Sequence, residues 1–436
     1  MLVFIVVASF LFRAYYAFEC LDPAKLLGTD MGGYWSRANA RFSGEVFNIG
    51  QTIAFSPLYH IILSEIFKII EFFGFLDKKL EIIILLNIFL SSASIIFVYL
   101  IANQLIKKRF LSILATFIYA FYYFLIHINA YILSENIVVP LLIISIYLLL
   151  RYPDQKFILF LNGILLGFIV GVRPPLGLFA LSYVGYIFFA CNKSFRSLIR
   201  IACLLLGCLL IIFSCIVEYN HISRGKLRSL SAHGGVNFFM AQCKSLSVKS
   251  KHNGLVMHLV PPVLVANKQL LREKPLETNV PFYDQGYYYE KGFQCLKEHP
   301  EDLIGNLTYV KALITGPFFP GKGLPKWLSV YRDIARKILL FTCISLGLLC
   351  LLIRDKKVDC KKVFLFLSFP FLVMLVSYFY TCDGRCFYPV TFLIFILFFL
   401  IVEHIKQYKN QAIFYFFVLL VVYLIFHCDL IFKLIT

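Results

Sequence analysis

A few charged residues in this chain stand where their types could do chemistry together. Asp30 lies in "LLGTDMGGYW", Glu135 in "YILSENIVVP", Arg173 in "GFIVGVRPPLG", and Asp383 with Arg385 in "TCDGRCFYP". A carboxylate can take a proton from an attacking group or steady a developing positive charge. A guanidinium presents a planar fork of donors that matches phosphate and carboxylate oxygens. Arg13, near the end of the first apolar run, is a further cation of this kind. Residues this far apart in sequence cooperate only if the fold delivers them to one place, so the elements that carry them decide the matter.

Those elements are membrane helices. The 436 residues are 60% hydrophobic and 15% charged, with a mean hydropathy of +0.81, whereas a soluble domain carries roughly 25% charged residues. Apolar runs of the length a bilayer needs fall at 2–18, 80–102, 109–127, 132–150, 157–172, 175–191, 196–217, 338–354, 363–381, 386–404 and 412–431. The expected fold is therefore an all-α polytopic membrane protein with about 11 transmembrane helices. The stretch 57–74 carries Glu65, Lys68 and Glu71 along one side and is expected as an amphipathic helix on the membrane surface, with a twelfth crossing as the alternative.

Short loops keep Lys and Arg on the cytoplasmic side. Basic residues occupy every second short connection: 107–109, Arg151 with Lys156, Lys193 to Arg200, 354–362, and Lys406 with Lys409. The loops 19–79, 128–131, the bend at 173–175, the long loop 218–337 and 381–386 are then extracytoplasmic. The division expected is an N-terminal transmembrane core over 1–217 with its first outer loop at 19–79, an extracytoplasmic cap over 218–337, and C-terminal transmembrane helices over 338–436. The formal charge of +18 follows in large part from topology and does not call for nucleic acid. The first span has no basic leader or small-residue cleavage pattern and is read as a helix that stays in the membrane.

On this topology Arg13, Asp30, Glu135, Arg173 and the Asp383/Arg385 pair gather at the outer face, and ionisable groups near membrane depth tend to mark functional sites. Each has a plain structural alternative. Arg13 can snorkel to headgroups, Glu135 can favour a helix dipole, Arg173 can anchor at the interface, and Asp30 and Asp383-Gly384 can serve turns. Their convergence is the argument. The thirteen cysteines show no metal spacing; Cys20, Cys243, Cys295, Cys382 and Cys386 lie on the outer side, where a disulfide among them is open but the unpaired state is expected. The long loop is expected to be a small, partly helical cap with Phe293, Leu296, Leu303 and Leu307 at helical spacing. Its His233, His252, His258 and His299 are expected at the surface, and Asn306-Leu307-Thr308 is a formal glycosylation acceptor.

The order of these landmarks resembles a known group. "DMGGYWSRANA" after the first span, then "SPLYHIILSEIF", then Glu135 at the start of the fourth span, is similar to the GT-C superfamily of polytopic glycosyltransferases, in the bacterial branch with protein O-mannosyltransferases and lipid A aminoarabinose transferases. "LNGILLGFIVGVRPPLGLFAL", "GGVNFF" at 234–239, "KEHPEDLIGNLTYVKAL" at 297–313 and "GRCFYPV" at 384–390 resemble later landmarks of that branch.

The resemblance implies transfer of a sugar from a polyprenyl-phosphate donor to a lipid, glycan or protein acceptor at the extracytoplasmic face, in a bacterial inner membrane. Asp30 would be the catalytic carboxylate. Arg173 and Arg385, with Arg13 and Lys311 behind them, would hold the donor phosphate, and Gly33, Tyr34, Glu135, Asn237 and Tyr388 would line the substrate. Many relatives carry Asp-Glu at the first-loop site, where this chain has Asp30-Met31, so no cofactor is called for and a divalent metal stays open. The competing readings are a lipid-linked oligosaccharide polymerase or ligase and a lipid or polysaccharide flippase. No internal repeat of the kind common in transporters stands out.

Overall fold

A computed structural model of the chain describes residues 1–27, 30–45, 56–190, 195–226, 229–245, 248–252, 255–259, 276–315, 326–352, 360–380 and 384–407. These residues are helical apart from short connections and one three-stranded sheet. Among the described residues, four helical segments are long and apolar enough to cross a membrane: Leu2–Cys20, Leu76–Leu105, Phe195–Ile222 and Arg385–Glu403. Arg109–Ala120 and Tyr123–Asn129, bent by 44°, make a fifth if they count as one span. Eleven crossings are thus not established. The helix Lys156–Val172, for example, has 17 residues and at 1.5 Å per residue falls just short of a hydrocarbon core about 30 Å thick. The expected run 412–431 lies outside the described residues.

Charged and polar contacts sort the helices by their ends. At one end Glu403 accepts the backbone N–H groups of Lys107 and Lys108 at 2.9 and 2.7 Å, Gln104 donates to the Leu150 carbonyl, and Arg200 pairs with Asp154. At the other end Arg41 pairs with Glu218, Arg173 with Glu135, and Arg385 with Asp30. Helices Lys79–Leu105, Glu135–Arg151, Lys156–Val172 and Phe195–Ile222 run between these two ends. Among the described residues, the basic connections at 107–109 and 151–156 and the pairs Arg41–Glu218, Arg173–Glu135 and Arg385–Asp30 therefore occupy opposite ends of one bundle.

The closest packing in that bundle is between Lys156–Val172 and Phe195–Ile222, and glycine spacing explains it. Gly163, Gly167 and Gly171 recur every fourth residue and so share one helix face. A Cβ on Gly163 would lie 2.0 Å from the Leu204 carbonyl oxygen, and one on Gly207 would lie 2.2 Å from that of Phe160. The two backbones touch, as small-residue stripes allow in membranes. A Cβ on Gly171 would meet Leu58 and the Cys215 sulfur at 2.8 and 2.9 Å. The Gly171 carbonyl also accepts hydrogen bonds from Ser56 and Tyr219. The last turn of the glycine helix is thereby fixed, and Arg173 follows it directly. Pro174 and Pro175 stop the helix there.

Aromatic packing seats the first connection. The helix Asp30–Phe42 lies on Pro57–Phe72, and the Lys79 ammonium sits over the rings of Phe67, Trp35 and Phe42 at 5.1, 5.2 and 5.8 Å. Trp35 is therefore occupied in tying three helices together.

The long loop builds a cap around the helices Gly234–Gln242 and Gln285–Glu298, joined by a disulfide between Cys243 and Cys295. That bond corrects the expectation of unpaired outer cysteines. Helical spacing across 285–313 does not give one continuous helix: it breaks after Glu298, before His299-Pro300, and Phe293 and Leu307 are each 58% exposed. The sheet was not expected either. Strands β1 (Val248–His252), β2 (Leu255–Leu259) and β3 (Leu276–Thr278) have the order β2-β1-β3, with His252 opposite Leu255. The intervening Asn253-Gly254 is a strong hairpin signal in the sequence. Below the disulfide, the buried Lys244 ammonium donates to the Ala241 carbonyl, Tyr309 and Asn306. Asn306 donates to Gln242, and Gln242 to the Phe379 carbonyl at 2.8 Å, so the cap is fastened to the helix Cys360–Phe379.

The glycine contacts predict that Gly163→Ala lowers the thermal midpoint in lipid nanodiscs, by about 1–3 kcal/mol of stability as for other overpacked sites. Gly177→Ala, whose Cβ would meet Val170 at an ordinary 3.5 Å, should leave it unchanged.

Candidate active site

Four separate segments meet at the end of the bundle opposite the basic loops. The first is the start of Asp30–Phe42. A Cβ on Gly32 would lie 1.8 Å from the Leu27 carbonyl oxygen, so the chain turns back on itself closely enough that only glycine fits there. Asp30 opens the helix, and its Oδ2 accepts from Arg385 Nη1 at 2.8 Å.

The second segment is the break between Tyr123–Asn129 and Glu135–Arg151. A non-helical connection inside an apolar bundle leaves carbonyls that need donors. Asn136 donates to the carbonyls of Ile128 and Tyr131, and Asn87 donates to Tyr131 as well. This bracing holds Glu135, whose side chain is 3% exposed, against Arg173.

Arg173 itself, the third segment, donates from Nη1 to Glu135 and from Nη2 to the Cys386 sulfur at 3.3 Å. The fourth, the 3-10 turn Gly384–Val390, supplies Arg385 and Cys386 next to each other. The result is a chain of contacts running Asp30, Arg385, Cys386, Arg173, Glu135. Of its two carboxylates, Asp30 is 38% exposed and Glu135 3%, so Asp30 is the more accessible.

Tyr34 stands between the two pairs. It is buried, meets Tyr59 edge to face at 4.8 Å, and bonds to Ser134. Burial, then the Glu135 and Asp30 carboxylates, push its hydroxyl up to about 12, so it stays protonated. Gly33 lets Arg37 fold over the helix: a Cβ there would lie 3.1 Å from Arg37 Nη1. Burial lowers Arg37 to about 10 while Tyr34 and Asp30 oppose the shift, so it remains a cation at neutral pH. His233 comes from the cap. Burial lowers it to about 4, helped by Arg37 and opposed by Asp30.

Asp30, Glu135, Arg173 and Arg385 are therefore brought together, with Gly33 and Tyr34 beside them. Arg13 does not join them. It is fully buried, donates to Ser9 and the Ala120 carbonyl at 2.7 Å each and to Ser91 at 3.4 Å, and clamps the first helix to Arg109–Ala120. Tyr388 stacks on Phe124 with ring centres 5.9 Å apart. Asn237 is half-buried on the cap helix Gly234–Gln242. Lys311 lies on Leu307–Thr315 with its side chain outside the described residues, as is Asp383. Among the described residues no three His, Cys, Asp or Glu side chains converge as a metal site.

Three neighbours of the site escaped the sequence reading. Arg37 is seven residues after Asp30 and four after Gly33, which puts all three near one helix face, a signal that was present. His233 precedes a glycine pair in a loop and was expected at the surface; its proximity to Asp30 and Arg37 depends on how the cap folds. Cys386 stands out in the sequence only as one of the outer cysteines, with no link to Arg173.

Residues 83–218 match the family model of dolichyl-phosphate-mannose-protein mannosyltransferases. The match covers about a third of the chain and includes Glu135 and Arg173. It supports a GT-C membrane glycosyltransferase that resembles protein O-mannosyltransferases. A comparison with curated proteins finds no match to the chain.

The two ion pairs differ in burial, and their variants should differ accordingly. Glu135→Gln strands Arg173 in a largely enclosed site and should cost about 3–5 kcal/mol; Asp30→Asn touches a partly exposed pair and should cost under about 1 kcal/mol. Thermal unfolding in nanodiscs reads both. The histidines give a pH dependence. His60, held to about 3 by burial and the nearby Arg37 and Arg41, and His233 both bind protons more readily in the unfolded chain. Stability should therefore fall as pH drops from about 6.5 toward 4, and the double variant His60→Gln/His233→Gln should flatten that slope.

Proposed function

We propose that this protein transfers a sugar from a polyprenyl-phosphate donor to an acceptor at the extracytoplasmic face of the membrane. The observation that carries the reading is the meeting of Asp30, Glu135, Arg173 and Arg385 at the bundle end opposite the basic loops. Retention of basic short loops in the cytoplasm gives that end its outward orientation. A bacterial inner membrane, about 11 crossings, and the division at 1–217, 218–337 and 338–436 complete the arrangement.

In this reading Asp30 takes the proton of the acceptor as its oxygen bonds to the anomeric carbon of the sugar. The bond from that carbon to the phosphate oxygen breaks, and the lipid phosphate leaves with the bonding electrons. Arg173 and Arg385 hold the phosphate oxygens, where charge grows as the bond breaks. Glu135 keeps the Arg173 guanidinium in place, and Arg385 lies between Asp30 and the departing group. Gly33 and Tyr34 border the sugar, Asn237 and Tyr388 act at the edge of the substrate, and Lys311 adds positive charge for the lipid. Acceptor choice, whether lipid, glycan or protein, rests with the cap and outer loops.

The test is consumption of a panel of polyprenyl-phosphate sugars by membranes holding wild type or Asp30→Asn at equal expression. Wild type should consume one donor, and Asp30→Asn should lose at least about 100-fold of that rate, the scale of general-base catalysis. Equal consumption by the two would remove Asp30 from the chemistry, and no consumption by wild type would favour a flippase.

A further inference from the structure

We infer that Cys386 is a positioning residue of the site, a thiol that sets the guanidinium of Arg173 for the phosphate of a lipid carrier. This rests on the proposed role of Arg173. The argument is geometric. One nitrogen of Arg173, Nη1, is held by Glu135, a carboxylate that is itself fixed by its braced loop. A contact at one nitrogen does not by itself define the plane of a guanidinium. The second nitrogen, Nη2, donates to the Cys386 sulfur at 3.3 Å, and two contacts define the plane of the fork.

The source of the second contact matters. Cys386 follows Arg385, whose Nη1 is bound to Asp30 at 2.8 Å. One short turn, Gly384–Val390, thus fixes its own arginine on the Asp30 helix and, through the next residue, the plane of Arg173. The two cations are set relative to each other by a single peptide unit. A phosphate bridged by both would meet a fork whose orientation had been fixed in advance, which spares the cost of ordering it on binding.

A thiol suits the place. Sulfur is a weak acceptor, so it orients Arg173 without competing with phosphate oxygens as a third carboxylate would. Cys386 is partly exposed and lies apart from the bonded pair Cys243 and Cys295.

The test compares wild type, Cys386→Ser and Cys386→Ala in lipid nanodiscs. Binding of undecaprenyl phosphate is measured by native mass spectrometry, and kcat/KM by consumption of whichever undecaprenyl-phosphate sugar wild type uses. Loss of one such hydrogen bond predicts that Cys386→Ala binds undecaprenyl phosphate roughly fivefold more weakly, with a similar fall in kcat/KM and an unchanged thermal midpoint. Cys386→Ser, which keeps an acceptor, should restore both. Equal binding by all three proteins overturns the inference. So does a loss in Cys386→Ala that Cys386→Ser fails to restore, since that would mark sulfur packing instead of hydrogen bonding. If wild type binds the lipid but consumes no donor, the sugar-transfer reading fails alone, and the binding measurements still decide the part played by Cys386.

Discussion

The buried pair of Glu135 and Arg173 constrains everything around it. A carboxylate 3% exposed at the end of an apolar bundle is tolerable only with its charge matched and its geometry held, because a lone buried ion is far too costly. Both partners are therefore braced. The Asn87 and Asn136 amides satisfy the broken loop before Glu135, and Ser56 and Tyr219 pin the Gly171 carbonyl just ahead of Arg173. The glycine stripe that brings two helices into backbone contact belongs to the same requirement, since it decides where the Arg173 helix ends.

Around that pair the site is asymmetric. Glu135 is enclosed and engaged, while Asp30 faces partly outward and is held by an arginine on a short turn. Two carboxylates of the same chemistry thus sit in different surroundings, which is how one fold gives two acids separate tasks. The cap adds Arg37's neighbour His233 to the outward side and is fastened to the helix before the Arg385 turn by Lys244, Asn306 and Gln242.

Much of this was legible in the sequence, and for identifiable reasons. Long apolar runs and alternating basic loops locate helices and their ends, because membrane insertion leaves few alternatives. Asp30, Glu135, Arg173 and Arg385 stand out because charge is scarce here. What escaped depends on tertiary contact. Arg13 looks like a member of the same cluster, yet its guanidinium is engaged by Ser9, Ser91 and the Ala120 carbonyl, and of those partners "SFLFRAYY" contains only Ser9. The Cys243–Cys295 bond joins residues 52 apart with no spacing rule to suggest it. The sheet of the cap did leave a trace, in the pair Asn253-Gly254. His233 and Cys386 acquire their neighbours only when the cap and the Arg385 turn are in place.

The buried amide of Asn306 bears on how the chain is made. Its sequence, Asn306-Leu307-Thr308, has the form that an oligosaccharide transferase reads, but its side chain is fully enclosed, accepting from Lys244 and donating to Gln242. A glycan would have to be attached to the nitrogen that makes the second of those bonds, in a place without room for it. Modification there would have to precede folding of the cap and would then prevent it. In the folded protein the tripeptide is a hinge pin between the cap and the helix Cys360–Phe379, and its resemblance to an acceptor site is a coincidence of packing.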